Sequence, residues 1–146
     1  MAITSAICNS FKQEILEAEH NFTASTGNTF NLALYDSDAT LGAGTTAYTT
    51  SEEITNTSGT AYTAKGKALT SVTPTLDSST AVCDFADVFW TSASFTARGC
   101  LIFNDSHSTD AAVCAIDFGG DKTATSGTFT IQFPAAAAST AIIRIA

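Results

Sequence analysis

Short segments that alternate apolar and polar side chains recur from residue 29 onward, separated by turn-forming residues about every eight to twelve positions. The segment TFNLALY at 29–35 places Phe30, Leu32 and Leu34 on one side. Such alternation is typical of strands that pack one face on a core. We therefore expect an all-β fold, a jelly-roll-like antiparallel β-sandwich of about seven or eight strands over residues 29–146. Its further strands are expected at 67–76, 80–90, 93–103, 111–118, 128–134 and 140–146.

Three positions predict departures from regular strands. Pro74 cannot donate to a strand ladder, so it indicates an edge strand or a bend. The segment 80–90 changes phase near residues 86–87, which a β-bulge would explain. Gly99 lies inside an otherwise long strand and indicates a kink.

The second half of the chain contains two polar connections and a final apolar strand. Residues 104–108, NDSHS, predict a turn, and a loop is expected from Gly119 to Gly127. In the last strand, Ile143 and Ile145 are predicted to face the core. The C-terminal strand should therefore be needed for folding.

One helix is predicted, over residues 4–20, with Thr4 or Ser5 as its N-cap. Ile7, Phe11 and Ile15 recur at every fourth position and form an apolar stripe. This stripe must be buried against another surface. Two interpretations stay open: the helix packs on its own sheet, or residues 1–22 form an arm that docks on a neighbouring subunit.

Residues 39–66 form the least regular stretch, rich in Thr and Gly and without a long apolar run. A stretch this long without clear periodicity is usually functional, so we expect a contact region here. Tyr48, Ile54 and Tyr62 are its expected anchors. Together with the helix stripe they give a candidate partner interface, formed by Ile3, Ile7, Phe11, Ile15, Tyr48, Ile54 and Tyr62.

Charge and length exclude several classes of protein. Six basic residues against fourteen acidic ones, a net charge of −8, leave no basic surface for nucleic acid. No uninterrupted apolar stretch is long enough to span a membrane. A length of 146 residues suits a single domain, 1–146, with its own core. The chain has 25 Thr and 15 Ser but few charged residues, so most of its surface should be uncharged.

No set of residues predicts catalysis, a metal or a cofactor. His20 and His107 are the only histidines, and no G-x-S-x-G motif accompanies them. The adjacent acids Glu52 and Glu53 would point in opposite directions on a strand, unlike a glycosidase pair. The segment Asp36-Ser37-Asp38 offers oxygens for calcium but fits a solvated turn better. We therefore predict a protein that is not an enzyme.

The single Trp90 and the four cysteines have structural interpretations. Trp90, near two phenylalanines, could bind a sugar, but one Trp in a β-sandwich more often belongs to the core. The first residues do not have the order of a secretion signal, since Lys12 follows the apolar residues. The cysteines are accordingly expected to be buried, reduced thiols of a protein made in the cytosol: Cys8, Cys83, Cys100 and Cys114.

Several stretches resemble a family of small virion proteins of tailed bacteriophages. AITSAICNSFKQEIL at the start is similar to the opening helix of these proteins, and FTARGCLIFND, VCAIDFGGDKT and FTIQFPAAAASTAIIRIA resemble their C-terminal half. The resemblance covers nearly the whole chain but departs where Lys65 interrupts a usual pair of glycines. The central pattern of the family is matched by Tyr48, Thr49, Glu53, Ile54, Gly59, Tyr62, Ala64, Gly66 and Leu69.

The resemblance implies a β-sandwich virion component that is assembled in the bacterial host cytoplasm. The role expected first is a capsid decoration, or cement, protein that binds the major capsid protein on the outer face of the head. It would self-associate, most simply as a trimer at three-fold positions. A tail or fibre component that contacts the host surface and a carbohydrate-binding module are the alternatives.

Overall fold

The computed structural model describes residues 2–55 and 59–146. Among these residues, no helix is long and apolar enough to cross a membrane. The described residues form eight strands and one helix in the order β1 (Ala6–Ile7), α1 (Asn9–Leu16), β2 (Phe30–Tyr35), β3 (Lys67–Ala68), β4 (Ser71–Asp77), β5 (Thr80–Phe85), β6 (Val88–Asn104), β7 (Ala111–Ile131) and β8 (Ile143–Ile145).

The strands form two antiparallel sheets. The larger has the order β1-β7-β6-β2-β3 and the smaller has the order β4-β5-β8. Apolar side chains of both sheets form a single core. In it the ring centres of Phe30, from the larger sheet, and Phe85, from the smaller sheet, lie 6.0 Å apart. The predicted all-β sandwich of seven or eight strands with a short N-terminal helix is confirmed.

The longest element is the β6–β7 hairpin, which the sequence divides into shorter segments. Its turn lies where residues 104–108 predict one, because Asn104 pairs with Ala111. The prediction of a loop at 119–127 is wrong, because these residues belong to β7. Pairing passes from Ala97–Lys122 to Gly99–Asp117, so Gly119 and Gly120 lie within a bulge of β7.

The irregular positions fall where the chain bends or changes sheet. Pro74 lies in edge strand β4, where the register shifts between Val72 and Thr75, as its missing N–H predicts. Residues 86–87 are not a bulge in one strand: they connect β5 of the smaller sheet to β6 of the larger. A Cβ at Gly99 would lie 2.4 Å from the Ile116 carbonyl oxygen, so only glycine fits beside that strand.

The helix is shorter than its pattern predicts. It begins at Asn9 rather than near residue 4, and the preceding Ala6 and Ile7 pair as β1 with Ala115 and Cys114. Neither predicted N-cap is used: Cys8 holds the N-cap position without a side-chain cap hydrogen bond. The apolar stripe therefore continues across a strand–helix junction, which periodicity alone does not distinguish from a longer helix.

The ends of the core agree only partly with the sequence. Ile143 is buried, but Ile145 is 55% exposed, so the prediction that both face the core is wrong for Ile145. The four cysteines are unpaired and buried, as predicted.

Candidate functional site

The described parts of the expected contact region, residues 39–55 and 59–66, cover the edge of β2. Strand β3 pairs only with Asn31 and Leu32, which leaves the rest of that edge without a strand partner. The Leu34 N–H donates to the Tyr62 hydroxyl (3.0 Å), and the Leu34 carbonyl accepts from Ile54 N–H (2.9 Å). The region therefore satisfies backbone groups that would otherwise be buried without partners.

The Glu53 carboxylate is the centre of this region. Its side chain is buried and accepts three hydrogen bonds: from the Tyr62 hydroxyl at 2.7 Å, from the Lys65 N–H at 2.7 Å and from the Tyr48 hydroxyl at 2.5 Å. A buried carboxylate needs such donors to offset its lost hydration. We call Glu53, Tyr48, Tyr62 and Lys65 the Glu53 network.

Both phenols of the Glu53 network are held in the protonated, donating form. Burial, together with the hydrogen bond to Glu53, raises the pKa of Tyr62 far above its ordinary value. The same causes, in the same order, raise the pKa of Tyr48 to about 12. Since ionisation would place a second negative charge beside the carboxylate, these hydroxyls act as donors throughout the physiological range.

Lys65 links the Glu53 network to the turn of the long hairpin. Its Nζ lies 2.8 Å from carboxylate oxygens of both Asp105 and Asp110, and 5.7 Å from the centre of the Tyr48 ring. The two aspartates raise the pKa of Lys65. Lys65 adopts a positive φ of 67°. The residue that interrupts the glycine pair of the resemblance thus contributes both its N–H and its ammonium to the local structure.

The seven candidate interface residues lie in or against the chain's own core. Ile3, Phe11, Ile54 and Tyr62 are buried. Ile7, Ile15 and Tyr48 are partly buried and pack on the same core. In the single chain these seven side chains therefore contribute to the packing of the fold, and their role at a partner interface stays a prediction.

The N-terminal segment packs on its own domain, which is the first of the two arrangements that the sequence left open. The Cys8 N–H donates to the Val113 carbonyl (3.0 Å), and the Asn9 N–H donates to the Ala43 carbonyl (2.8 Å). The ring of Phe11 lies 6.0 Å from that of Phe22 and is almost fully buried. This segment forms part of the sandwich rather than a free arm.

A histidine that could have served as a catalytic base instead joins the helix to the long hairpin. The fully buried Asn104 amide donates to His20 Nδ1 at 3.1 Å, while Asn104 Oδ1 accepts from the Ser106 N–H. Because Nδ1 accepts, Nε2 carries the proton and donates to Glu14 Oε2 at 2.8 Å. Sequence reasoning did not predict this contact, because its members are far apart in the chain.

Trp90 belongs to the core, as its structural interpretation predicts. It is 1% exposed and lies among Tyr62, Phe95 and Phe129 at ring-centre distances of 5.9 to 6.2 Å. No ring face is open for stacking on a sugar.

The acidic turn gains one member that its sequence does not predict. Oxygens of Asp36, Asp38 and Glu52 all lie within 4.8 Å of one another. The Asp36 carboxylate also accepts the Asp38 N–H at 2.9 Å, which is the hydrogen bond of an ordinary Asx turn. Glu52 is exposed and Glu53 is buried. They do not lie on a regular strand: Glu52 has a positive φ of 58°, and Glu53 makes an isolated β-bridge with Tyr35.

A largely apolar groove of about 540 Å³ opens beside β7. Its walls come from β7 and from the segment that leads to β8. Phe118, Ile131 and Phe133 are among the side chains that line it. The volume falls in the range of small-molecule sites, and the polar residues of the lining are Lys122, Thr123, Thr128, Thr130 and Gln132.

Comparison with protein-family models, with curated proteins and with solved structures finds no match to this chain.

Proposed function

We propose that this protein is a structural component of a tailed-bacteriophage virion, and that it decorates the outer face of the capsid. One observation supports this most directly. Tyr48, Glu53, Tyr62 and Gly66, which carry the central part of the family resemblance, form or adjoin the network that holds residues 48–55 and 59–66 on the sheet. A resemblance in residues that build the fold supports descent from a structural protein.

A decoration protein needs a stable, pre-formed surface rather than reactive groups. The Glu53 network and the His20–Asn104 contact use buried polar side chains to fix loops on the larger sheet. The expected partner is the major capsid protein. Binding only to the expanded lattice would stabilise that lattice by mass action, which requires no chemistry.

The copy number per purified virion tests this proposal. Quantitative mass spectrometry against the major capsid protein should give a ratio set by the capsid lattice. A few copies per particle would instead favour the tail or fibre alternative, since tail parts follow three-fold or six-fold rings. Absence from purified particles would overturn both virion roles.

A second experiment tests the stabilising role. Heads that lack this protein should lose DNA at a lower temperature and at lower salt than complete heads. Adding the purified protein back should restore resistance, whereas an unrelated acidic β-sandwich should not. Equal resistance of heads with and without the protein would contradict a cementing role.

The carbohydrate-binding alternative loses its candidate residue. Trp90 is enclosed by other aromatic rings, so a sugar could reach it only if the core opened. Among the described residues we find no other tryptophan that could take its place.

A further inference from the structure

The apolar groove beside β7 is where the core of the sandwich is least covered. Among the described residues, eight apolar side chains pack on the core while staying only partly buried, and five of them line this groove: Ile116, Phe118, Ala124, Ile131 and Ile142. The ring centre of Phe118 lies 6.4 Å from that of Phe129, a buried member of the core, so the floor of the groove continues the core outward. Partly exposed apolar side chains that line one concave surface favour a ligand with an apolar body.

Lys122 gives this groove a positive charge. None of the other described residues in the lining is charged. The neighbouring Asp121 lies outside the lining, and its carboxylate is 3.9 Å from Arg98 Nη1. The groove therefore combines an apolar surface with one positive charge, whereas the protein as a whole has a net charge of −8.

The Lys122 ammonium is also free of partners within the described part of the chain. The other five basic side chains donate to a carboxylate, an amide oxygen or a backbone carbonyl: Lys12, Lys65, Lys67, Arg98 and Arg144. No described residue makes a hydrogen bond or ion pair with Lys122. Its three N–H groups are thus available to a negatively charged ligand.

We propose that the groove binds a free amphipathic carboxylate with a single alkyl chain. The alkyl chain packs on Phe118, Ile131 and Ile142, and the carboxylate accepts hydrogen bonds from Lys122 Nζ. The uncharged polar side chains of the lining carry further donors: Thr123, Thr128, Thr130 and Gln132. The volume of about 540 Å³ suits one such molecule.

The charge of the whole protein favours a free molecule over a lipid in a membrane. A net charge of −8 opposes contact with an anionic bilayer, whereas a single small anion meets only the local charge of Lys122. The site is independent of any virion role, because it needs neither a capsid nor a second subunit.

Titration of the isolated protein with octanoate, followed by the NMR shifts of its backbone amides, tests the site. Octanoate should shift the amides of residues 116–133 with a dissociation constant of about 1–10 mM, as expected for a ligand of this size. The amides of β4, which contributes nothing to the lining, should not move. Octylammonium has the same alkyl chain and the opposite charge, so it should bind more weakly. Acetate has the charge without the chain and should not bind.

Charge reversal separates the role of Lys122 from the effect of net charge. Lys122→Glu should raise the dissociation constant of octanoate at least about fivefold and reverse the preference between octanoate and octylammonium. Lys12→Glu is the matched control, because it makes the same change at an exposed position of α1 outside the groove, and it should keep the preference. Phe118→Ala, which removes part of the floor, should weaken the binding of both ligands.

Several outcomes would overturn the proposal. They are the absence of saturable shifts in the groove, equal binding of octanoate and octylammonium to the unaltered protein, and equal effects of Lys122→Glu and Lys12→Glu. Sedimentation with phosphatidylglycerol vesicles should leave the protein in the supernatant, and cosedimentation would overturn the assignment of a free ligand. Because the isolated protein is used, these outcomes are distinguishable from failure of the virion role.

Discussion

The Tyr62 hydroxyl donates to Glu53 Oε1 at 2.7 Å and at the same time accepts the backbone N–H of Leu34 at 3.0 Å. One phenol therefore connects a buried carboxylate to the open edge of β2. This explains why residues 39–55 and 59–66, which have low periodicity, can lie on the sheet without forming regular strands of their own, since side chains replace the missing ladder.

Removing the charge of Glu53 should destabilise the fold. In Glu53→Gln the amide oxygen can still accept from Tyr62 and Lys65, but the amide nitrogen faces the Tyr48 hydroxyl. Loss of the charge-assisted bonds should lower the free energy of unfolding by about 1–3 kcal/mol, measured by urea denaturation. Glu53→Ala also leaves buried donors unpaired and should cost more.

The neighbouring acid provides a matched control for that change. Glu52→Gln removes the same charge from an exposed side chain that has two acids nearby, so its effect should stay within about 0.5 kcal/mol. Equal effects of Glu52→Gln and Glu53→Gln would contradict the role assigned to the Glu53 network.

Gly66→Ala should prevent stable folding. Gly66 has a positive φ of 65°, and a Cβ there would lie 1.8 Å from the Leu32 carbonyl oxygen. Gly119 has a similar φ of 74° but nothing within 4 Å of its added Cβ. Gly119→Ala should therefore cost only the backbone strain, about 1–2 kcal/mol. Circular dichroism and thermal unfolding of the two variants separate steric overlap from strain, and similar losses would argue against the overlap.

The strands could be predicted from the sequence because their signal is local. Alternation located β2 almost to the residue, and Pro74 and Gly99 indicated their irregularities correctly. The sequence predicts a loop where β7 has a glycine-containing bulge, because Gly119 and Gly120 give the same signal in either structure. Only pairing with β6, which is not local, decides between them.

The candidate site was less predictable because it depends on contacts between distant residues. The sequence predicts Tyr62 and Ile54 as anchors of a contact region, and the structure buries both in the chain's own core, because distant residues decide what covers them. Their role in a contact stays a prediction. Glu53 was noted as one of two adjacent acids, and its burial depends on donors from positions 48, 62 and 65. Glu52 is exposed in a turn, so no local alternation distinguishes the buried acid from its neighbour.

The cysteine thiols should be unreactive in the folded protein. Burial raises the pKa of Cys8 to about 11 and those of Cys83 and Cys100 to about 12, from an ordinary value of 9.0. A disulfide reagent at about pH 8 should label no thiol in native protein and all four in urea. Rapid labelling of any thiol without denaturant would contradict its assigned burial.

The same thiols make stability depend on alkaline pH. A group whose pKa is raised by folding contributes its full stability below its unfolded pKa and loses it as pH rises toward the folded pKa. Each thiol should thus lower the free energy of unfolding by up to about 1.4 kcal/mol per pH unit between about pH 9 and its folded value. Urea denaturation at a series of pH values checks this, and constant stability through pH 10 would contradict it.

The last strand offers two isoleucines that differ in burial. Ile143 packs in the core and pairs with Cys83, whereas Ile145 pairs with Ala81 and is mostly exposed. Ile143→Ala should lower the free energy of unfolding by about 2–4 kcal/mol, and Ile145→Ala by less than about 1 kcal/mol. The reverse order in thermal or urea unfolding would show that β8 faces the other way.

The helix provides a similar pair, which tests whether it is part of the domain. Phe11 is 3% exposed and lies 4.9 Å from the His20 ring, whereas Leu16 is 87% exposed on the last turn. If α1 packs on its own sandwich, Phe11→Ala should lower the free energy of unfolding by about 3–5 kcal/mol. Leu16→Ala should change it by less than about 0.5 kcal/mol, because no buried contact is lost. Urea denaturation of the isolated protein makes the comparison without any partner. Unchanged stability of a folded Phe11→Ala protein would mean that the helix contributes little to the monomer, and would return the N-terminal segment to its alternative role as an arm.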